Sequence, residues 1–226
     1  MTKHLVVFGT GLMAELLFFL LQEELQPVAG FCVDSAYHKA DIFCGKPLVS
    51  FDTLVEAFPP ADNAILVAVG YAGLNAVRGE KIAQCQKFGY DIASYIHPRA
   101  VLPRNFAPKP NTIIFENVTV QAFAQIGQGV IIWPGAVVCH HAIIHDNVFI
   151  GPGATICGGT VVGDCSLVGA GAVVRDFLTV GAKSIVGAGS VLLRNLPPNS
   201  MCNGGESPVT SDCLDKVKLW PPKVLR

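Results

Sequence analysis

The chain has 226 residues, a formal net charge of −1 and only 15% charged side chains. No stripe of basic residues occurs, which argues against nucleic acid as a main ligand. The apolar run from Leu16 to Leu21 is too short to span a membrane and lies between Glu15 and Glu23. None of the eight cysteines forms a CxxC pair, so we expect reduced thiols in a cytoplasmic protein without a membrane segment.

The first 97 residues alternate between apolar runs and helical patterns. Strands that are separated by helices with short links are typical of a parallel sheet, here in a small Rossmann-like α/β domain. The predicted elements, in chain order, are a strand at 5–8, a helix at 12–24, strands at 28–33 and 64–69, a helix at 72–88 and a strand at 92–96.

Glycines and one carboxylate follow three of these strands. Gly9 and Gly11 come after the first strand as a partial dinucleotide-binding fingerprint, one residue shorter than G-x-G-x-x-G. Asp34 ends the second strand and Gly70 ends the third. The carboxyl ends of parallel strands meet at one edge of a sheet, where ligands of open α/β sheets bind. This favours a ligand site at that edge, and ordinary strand-end turns are the alternative.

From residue 112 to residue 193 the pattern changes to a strict period of six. This period is neither 3.6 nor 2, so it predicts a hexapeptide β-helix of triangular coils with the aliphatic side chains inside. The residue two places before each aliphatic position is mostly small, and the glycines that follow several aliphatic positions are expected to relax the corners through their backbone freedom. The aliphatic positions are Ile114, Val120, Ile126, Ile132, Val138, Ile144, Ile150, Ile156, Val162, Val168, Val174, Val180, Val186 and Leu192.

Three histidines cluster between residues 140 and 145. The period predicts that His140 and His145 point outward near corners and that His141 lies on a face. One interpretation makes His140 a general base whose tautomer is fixed by His141 or Asp146. A second compares His140 and His145 with the zinc-binding pair of the γ-class carbonic anhydrases, but a catalytic zinc needs three protein ligands, and no histidine stands two coils earlier. The third interpretation is a group of surface histidines without a role.

Six stretches carry a family resemblance that covers about residues 3 to 205. They are GTGLMA at 9–14, VDS at 33–35, VAVGY at 67–71, IHPRA at 96–100, GAVVCHHAIIHDNVFIGPGA at 135–154 and GAGSVLLRNLP at 187–197. With these stretches the chain resembles the nucleotide-sugar acyltransferases of the bacillosamine, perosamine and sialic-acid acetyltransferase type. The resemblance implies a left-handed β-helix after the Rossmann-like domain, a homotrimer with active sites at subunit interfaces, and acetyl-CoA as the acyl donor.

The resemblance also implies roles for individual residues. The catalytic base falls on His140, followed by His141 where many members have Glu or Asp. The sugar-nucleotide pocket falls on Gly11, Leu12, Met13, Asp34, Ser35 and Gly70, and a GYxxxNxxR stretch of one subgroup adds Tyr71, Asn75 and Arg78. The acetyl-CoA contacts fall on Phe149, Ala170 and Ala188.

These observations lead to one functional hypothesis. We expect a sugar-nucleotide-binding domain at 1–97, an acyltransferase β-helix at 98–206 and a C-terminal tail at 207–226. The expected reaction is N-acetylation of a nucleotide-linked 4-amino-4,6-dideoxy sugar by direct transfer from acetyl-CoA, without a metal, in bacterial surface-glycan (lipopolysaccharide or O-antigen) biosynthesis. The alternatives are a sugar O-acetyltransferase, a carbonic-anhydrase-like zinc protein and a non-catalytic sugar-nucleotide-binding protein.

Overall fold

The N-terminal part of the molecule is a six-stranded sheet with helices on both faces. A computed structural model describes residues 3–205. The elements of this part are β1 (His4–Phe8), α1 (Leu12–Glu23), β2 (Val28–Val33), β3 (Ile42–Phe43), β4 (Lys46–Ser50), α2 (Leu54–Ala57), β5 (Asn63–Val67), α3 (Ala76–Lys87) and β6 (Asp91–Ile92), with short 3-10 turns at Ser35–Tyr37 and Phe51–Thr53.

The sheet has the strand order β3-β4-β2-β1-β5-β6, and all neighbours are parallel except the β3–β4 pair. Helix α1 buries Leu17, Phe18 and Leu21 in an apolar cluster on one face. On the other face, α2 and α3 contribute Leu54 and Ile82 to a separate cluster. The alternation of strands and helices therefore produces the α/β domain that the sequence predicted.

Three details of this domain differ from the predicted elements. Helix α3 begins at Ala76 and not at residue 72, because Gly73, Leu74 and Asn75 all have positive φ angles, which no α-helix accommodates. The segment predicted as one last strand is two: β6 pairs with β5, whereas the residues from Tyr95 pair outside this sheet. The hairpin of β3 and β4 was not predicted.

The second half of the chain is a three-sided β-helix, referred to below as the prism. Ile131 pairs with Phe149, and Phe149 with Leu167, so one coil takes 18 residues. The first face stacks β7 (Tyr95–Ile96), β8 (Ile113–Ile114), β11 (Ile131–Ile132), β14 (Phe149–Ile150), β17 (Leu167–Val168), β20 (Ile185–Val186) and β22 (Met201–Cys202). The second stacks β9 (Thr119–Val120), β12 (Val137–Val138), β15 (Thr155–Ile156), β18 (Val173–Val174) and β21 (Val191–Leu192), and the third β10 (Gln125–Ile126), β13 (Ile143–Ile144), β16 (Val161–Val162) and β19 (Thr179–Val180).

The interior of the prism confirms the sixfold period. All fourteen predicted aliphatic positions, from Ile114 to Leu192, are buried. The second lane packs beside them, and its buried hydroxyls bond to backbone carbonyls, as Ser166 does to Gly181 at 2.9 Å. One continuous apolar core therefore runs along the prism, in a left-handed β-helix of the kind that hexapeptide repeats form.

The corners of the prism depend on a position other than the one predicted. The third residue after each inward aliphatic residue has a positive φ from Asn117 through Gly189, whether or not it is glycine. The glycines that directly follow the aliphatic residues have ordinary angles. At Gly169 an added Cβ would lie 2.5 Å from the backbone nitrogen of Ala188 in the next coil, so these glycines permit close approach between coils. The prediction that they relax the corner was wrong.

The structure also shows whether any described helix could cross a membrane. Between residues 3 and 205 no helix is both long enough and apolar enough to cross a bilayer.

Candidate active site

Two histidines occupy a corner between the second and third faces of the prism. We call residues 139–141, 157–159 and 175–177, which stack on this edge, the histidine corner. The Nδ1 atoms of His140 and His141 are 3.2 Å apart, and both side chains are exposed. The His140 ring lies against Gly158 of the next coil, where an added Cβ would come within 2.6 Å of it. The backbone N–H of His140 donates to the Gln121 side-chain oxygen at 2.9 Å.

The neighbours of His140 differ from one of the predicted arrangements. His141 lies at the turn itself with a φ of 58°, and not on a face as predicted, because it holds the left-handed position of its hexad. Asp146, the other candidate for orienting His140, accepts a hydrogen bond from the backbone N–H of Gln128 at 3.0 Å. His145 is exposed near the following corner. The ring of His140 is therefore paired with His141.

The paired Nδ1 atoms restrict the protonation of the two rings. A hydrogen bond between them needs one proton, so one ring donates and the other accepts. When His140 donates through Nδ1–H, its Nε2 carries a free lone pair and can accept a proton from a substrate. This is the tautomer that a general base requires, and His141 supplies its acceptor.

An apolar cavity of about 440 Å³ lies along the first face of the prism. It brings together the three predicted acetyl-CoA residues: Ala170 and Ala188 lie one coil apart, and Phe149 lies below Leu167 on the first face. Trp133 and Tyr71 line its lower end, and the Tyr71 ring meets the Phe149 ring edge to face at 5.3 Å. Tyr71 is thus the N-terminal domain's contribution to the cavity wall.

The predicted sugar-nucleotide residues lie at the carboxyl edge of the N-terminal sheet. Gly11 directly precedes α1, whose first backbone N–H groups carry no side-chain cap, and Leu12 is 85% exposed. Met13 is half-buried, and Asp34 and Ser35 begin the turn after β2. Gly70 follows β5, next to Tyr71. Exposed N–H groups at a helix N-terminus attract anions such as phosphate.

Lys81 is a residue that the sequence analysis did not assign to the site. Its ammonium group forms an ion pair with Asp34 and lies 4.4 Å from the centre of the Phe51 ring. The pair joins α3 to the end of β2. The positive charge of Lys81 therefore already balances the negative charge of Asp34 before a ligand binds. The sequence signal was weak, because Lys81 stood on the polar side of a helix, as surface lysines generally do.

Comparisons with known proteins show what this chain is similar to. The family described as "Bacterial transferase hexapeptide (six repeats)" matches residues 123–158 and 141–176. A histidine variant of perosamine N-acetyltransferase from Caulobacter crescentus, solved with CoA and GDP-perosamine, is 26% identical, with a TM-score of 0.81 over 94% of this chain and 99% of that one. The chain is thus similar to the bacterial hexapeptide transferases between residues 123 and 176, and its fold is similar to that of a nucleotide-sugar acetyltransferase over 94% of its length.

Two further solved structures are similar to this chain. The acetyltransferase domain of PglB from Neisseria gonorrhoeae, solved with acetyl coenzyme A, is 25% identical, with a TM-score of 0.80 over 90% of this chain and 97% of that one. WeeI from Acinetobacter baumannii, at 21% identity and a TM-score of 0.78 over 90% and 97% of the two chains, shares the fold. No curated protein sequence matches the chain.

Two residues predicted to bind the sugar nucleotide make contacts between the two domains. Asn75 and Arg78 are fully buried. Arg78 donates to the carbonyl oxygens of Val69 and Gly70 in its own domain, and to Gly129 at 2.7 Å and Asn147 at 2.8 Å in the prism. Asn75 donates to the prism carbonyls of Cys165 and Ser166. Burial lowers the pKa of Arg78 to about 10, which still leaves it charged at neutral pH.

These contacts show why the motif contains both residues. They fix the N-terminal domain against the prism, and through Gly70 they hold the loop that carries Tyr71. Neither side chain faces a ligand. The structure therefore corrects the prediction for Asn75 and Arg78, which act as interdomain contacts, while Tyr71 remains exposed at the cavity.

The histidine corner and the cavity lie at different edges of the same chain. The cavity lies on the first face and the corner that follows it, whereas His140 stands one face further along the coil. Among residues 3–205, no three His, Cys, Asp or Glu side chains converge on a point where a metal ion would fit. The apolar cavity and the histidine pair are therefore separated by the second face.

Proposed function

We propose that this protein is an acetyl-CoA-dependent N-acetyltransferase that acts on the amino group of a nucleotide-linked amino sugar of the 4-amino-4,6-dideoxy type. The observation that carries the proposal is the agreement of both domains at once with an enzyme solved with CoA and GDP-perosamine. A prism alone would support only a hexapeptide transferase. The N-terminal sheet adds the sugar-nucleotide site. By this reasoning the product serves bacterial surface-glycan synthesis, such as lipopolysaccharide or O-antigen.

His140 is the proposed general base. With Nδ1–H donated to His141, its Nε2 takes a proton from the sugar amine as the nitrogen attacks the thioester carbonyl. The tetrahedral intermediate collapses with loss of CoA, and the protonated His140 returns the proton to the leaving thiolate. His141 acts as a positioning residue, since it holds the tautomer without touching the substrate.

Transfer is direct in this proposal, without an acyl-enzyme intermediate. Cys139 is the thiol next to His140 in sequence. Burial, together with the neighbouring Cys157 thiol, raises the pKa of Cys139, so it is protonated and a poor nucleophile at neutral pH. The amine of the sugar is the stronger candidate for attack.

The sugar nucleotide is proposed to bind at the carboxyl edge of the N-terminal sheet. The N-terminus of α1, with Gly11, Leu12 and Met13, would receive the diphosphate. The Asp34 carboxylate would accept hydrogen bonds from ribose or base, the Ser35 hydroxyl would accept or donate them, and Lys81 forms an ion pair with Asp34. Gly70 and Tyr71 would then lie beside the sugar.

Acetyl-CoA is the proposed occupant of the apolar cavity at Phe149, Ala170 and Ala188. Because His140 lies one face away, we propose a homotrimer in which one copy's histidine corner faces its neighbour's cavity. A cyclic trimer around an axis parallel to the prism supplies that arrangement. The residues at 1–97 would then bind the sugar nucleotide and those at 98–206 the acyl donor, while the predicted tail at 207–226 lies outside the described residues.

Two further parts of the proposal concern the cell and the acceptor atom. The seven cysteines within the described residues are free thiols, which supports a reducing compartment and hence the cytoplasm. The named substrate of the perosamine enzyme is an amino sugar, which supports N- over O-acetylation.

The proposal is tested by screening nucleotide-linked sugars with acetyl-CoA and measuring the release of free thiol. GDP-, UDP- and dTDP-linked 4-amino-4,6-dideoxy sugars form one arm, and the corresponding 4-hydroxy sugars form the other. We expect stoichiometric thiol release and an acetylated amine by mass spectrometry in the first arm only. Thiol release with hydroxy sugars alone would indicate an O-acetyltransferase, and binding without release would indicate a non-catalytic protein.

A further inference from the structure

Two exposed phenylalanines stand on the same edge of the prism as the histidine pair. Phe123 is 73% exposed and Phe177 is 77% exposed. Both hold the left-handed corner position, with φ angles of 66° and 56°. A bulky residue at positive φ is uncommon, and the chain uses Asn at the equivalent positions 117 and 147. Two aromatic rings at one edge therefore leave apolar surface exposed to solvent, where it is available to a binding partner.

The surroundings of Phe177 are arranged so that its ring lies flat against the coil below. Gly159 is the corner residue of that coil, and an added Cβ there would come within 2.6 Å of the Phe177 ring. Gly158, next to it, provides the same clearance for His140. The rings of His140 and Phe177 therefore approach one Gly-Gly corner from opposite sides. Phe177 thus stands two coils above His141 on the histidine corner, with Gly159 between them, and its ring is exposed.

Height along the prism separates the two phenylalanines. Phe177 lies in the coil between β17 (Leu167–Val168) and β20 (Ile185–Val186). Its height along the prism is therefore that of the upper cavity wall. His140 falls between the Ile131 and Phe149 strands, the level of the lower wall. Phe123 falls one coil lower still, beneath the cavity, and its ring contacts His141 at 4.8 Å.

In a cyclic trimer with its axis along the prism, equivalent residues of all copies stand at equal heights. A copy whose histidine corner faces a neighbour's cavity then brings His140 to the lower end, beside Tyr71 and Phe149. The same rotation brings Phe177 to the upper end, opposite Ala170 and Ala188. If the proposed function holds, these heights identify the part of the neighbour's cavity that the Phe177 ring contacts. This step rests on the proposed function.

We infer that Phe177 of one copy closes the acetyl-CoA cavity of the neighbouring copy and packs against the pantetheine arm. The arm is built of methylene groups, amides and a gem-dimethyl carbon, so it offers apolar surface to an aromatic ring. The cavity wall opposite is formed by Leu167, Ile185 and small residues, which leave the other side of the arm uncovered. An exposed phenylalanine on the facing copy removes that side from water.

The test compares Phe177→Asn with Phe123→Asn. Asn tolerates the left-handed corner and already occupies it at 117 and 147, so both variants should keep the fold. Binding of CoA is measured by isothermal titration calorimetry, and the oligomeric state by sedimentation velocity. We expect Phe177→Asn to raise the Kd for CoA about tenfold, the loss of one buried aromatic contact. Phe123→Asn should leave that Kd unchanged, and Phe177→Leu should fall between wild type and Asn.

Each other result overturns the inference. An unchanged Kd in trimeric Phe177→Asn, or an equal rise in Phe123→Asn, would show that the ring does not contact CoA. A rise in the KM for the sugar nucleotide alone would assign Phe177 to the acceptor. Dissociation of Phe177→Asn, with wild-type affinity regained at high protein concentration, would make the residue an interface contact only. Because CoA binding is measured directly, wild-type protein that binds CoA but transfers nothing would refute the proposed function and leave this assignment standing.

Discussion

The N-terminal sheet and the prism obtain their order in opposite ways. From β7 to β21 each strand of the prism pairs with residues 18 places along the chain, as Phe149 does with Leu167, whereas Ile185 of β20 pairs with Met201, 16 places along. In the N-terminal sheet β1 pairs with both β2 and β5, which lie at unequal distances in sequence. A repeating pairing makes each side chain's direction readable from its position. In an irregular sheet the direction of a side chain depends on contacts between distant segments. Such contacts determine both the proposed sugar-nucleotide edge and the positions of the interdomain residues.

The largest effect should come from the prism's exposed edge. His140→Ala removes the proposed base, and we expect kcat to fall by about 10²–10⁴-fold, the usual contribution of general base catalysis. Steady-state thiol release measures it. His145→Ala is the matched control, since His145 is an exposed histidine near the following corner. Near-wild-type turnover of His140→Ala would show that His140, on this edge of the prism, is not the general base.

The boundary between the two regions is probed by Arg78→Ala. The change leaves buried carbonyls of both domains without their charged donor, so the free energy of unfolding should drop on the order of 3 kcal/mol. Urea unfolding, followed by far-UV circular dichroism, is expected to separate into two transitions. Arg175→Ala, at an exposed arginine of the prism, should leave the curve unchanged. A single unshifted transition in Arg78→Ala would mean that the domains are joined by other contacts.

Within the prism, Gly169 and Gly171 separate close approach from corner geometry. Gly169→Ala places a Cβ 2.5 Å from the next coil's backbone and should cost about 1–3 kcal/mol, as overpacked cores do. Gly171 holds the left-handed corner with open space around it, so Gly171→Asn should change stability by less than about 0.5 kcal/mol. Thermal melts of both variants decide the matter. If Gly171→Asn destabilised the protein more than Gly169→Ala, corner relaxation would again be the role of Gly169.

The smallest effect is expected at His141. Because the residue orients His140 without touching substrate, His141→Ala should lower kcat about tenfold at unchanged KM for both substrates. His141→Glu supplies another acceptor for the Nδ1–H and should restore most of the rate. Initial rates at varied substrate concentrations separate kcat from KM. If KM rises with kcat unchanged, or if Glu fails to restore activity, His141 is not the orienting residue.

Much of the candidate site was predictable because the coil length is constant. Ala170 and Ala188 line one cavity since they are spaced by one coil, and Phe149 joins them because it stacks below Leu167 on the adjoining face. His140 points outward because Val138 points inward. The same period misjudged His141, since hydrophobic spacing does not reveal which residue takes the left-handed angle. It also misjudged the glycines, whose crowding comes from the neighbouring coil.

Asn75, Arg78 and Lys81 mark the limit of prediction in the N-terminal domain. A buried arginine that bonds mainly to backbone carbonyl oxygens looks in the sequence like a ligand-binding arginine. Apart from the Asn75 side chain, the partners of Arg78 are backbone atoms, from Val69 to Asn147, and these leave no side-chain signature. Lys81 pairs with Asp34 across the sheet edge, 47 residues away. Neither contact leaves a periodic trace.

The sequence by itself determined the hexad repeat, the inward lanes, the α/β character of the first domain and the outward direction of His140, because these follow from local periodicity. Tertiary structure alone decided that His141 faces His140 through Nδ1, that Arg78 joins the domains and that cavity and histidines lie on different faces. Those features depend on where a backbone carbonyl or a ring nitrogen lies in space, which pairing between distant segments sets and residue spacing does not.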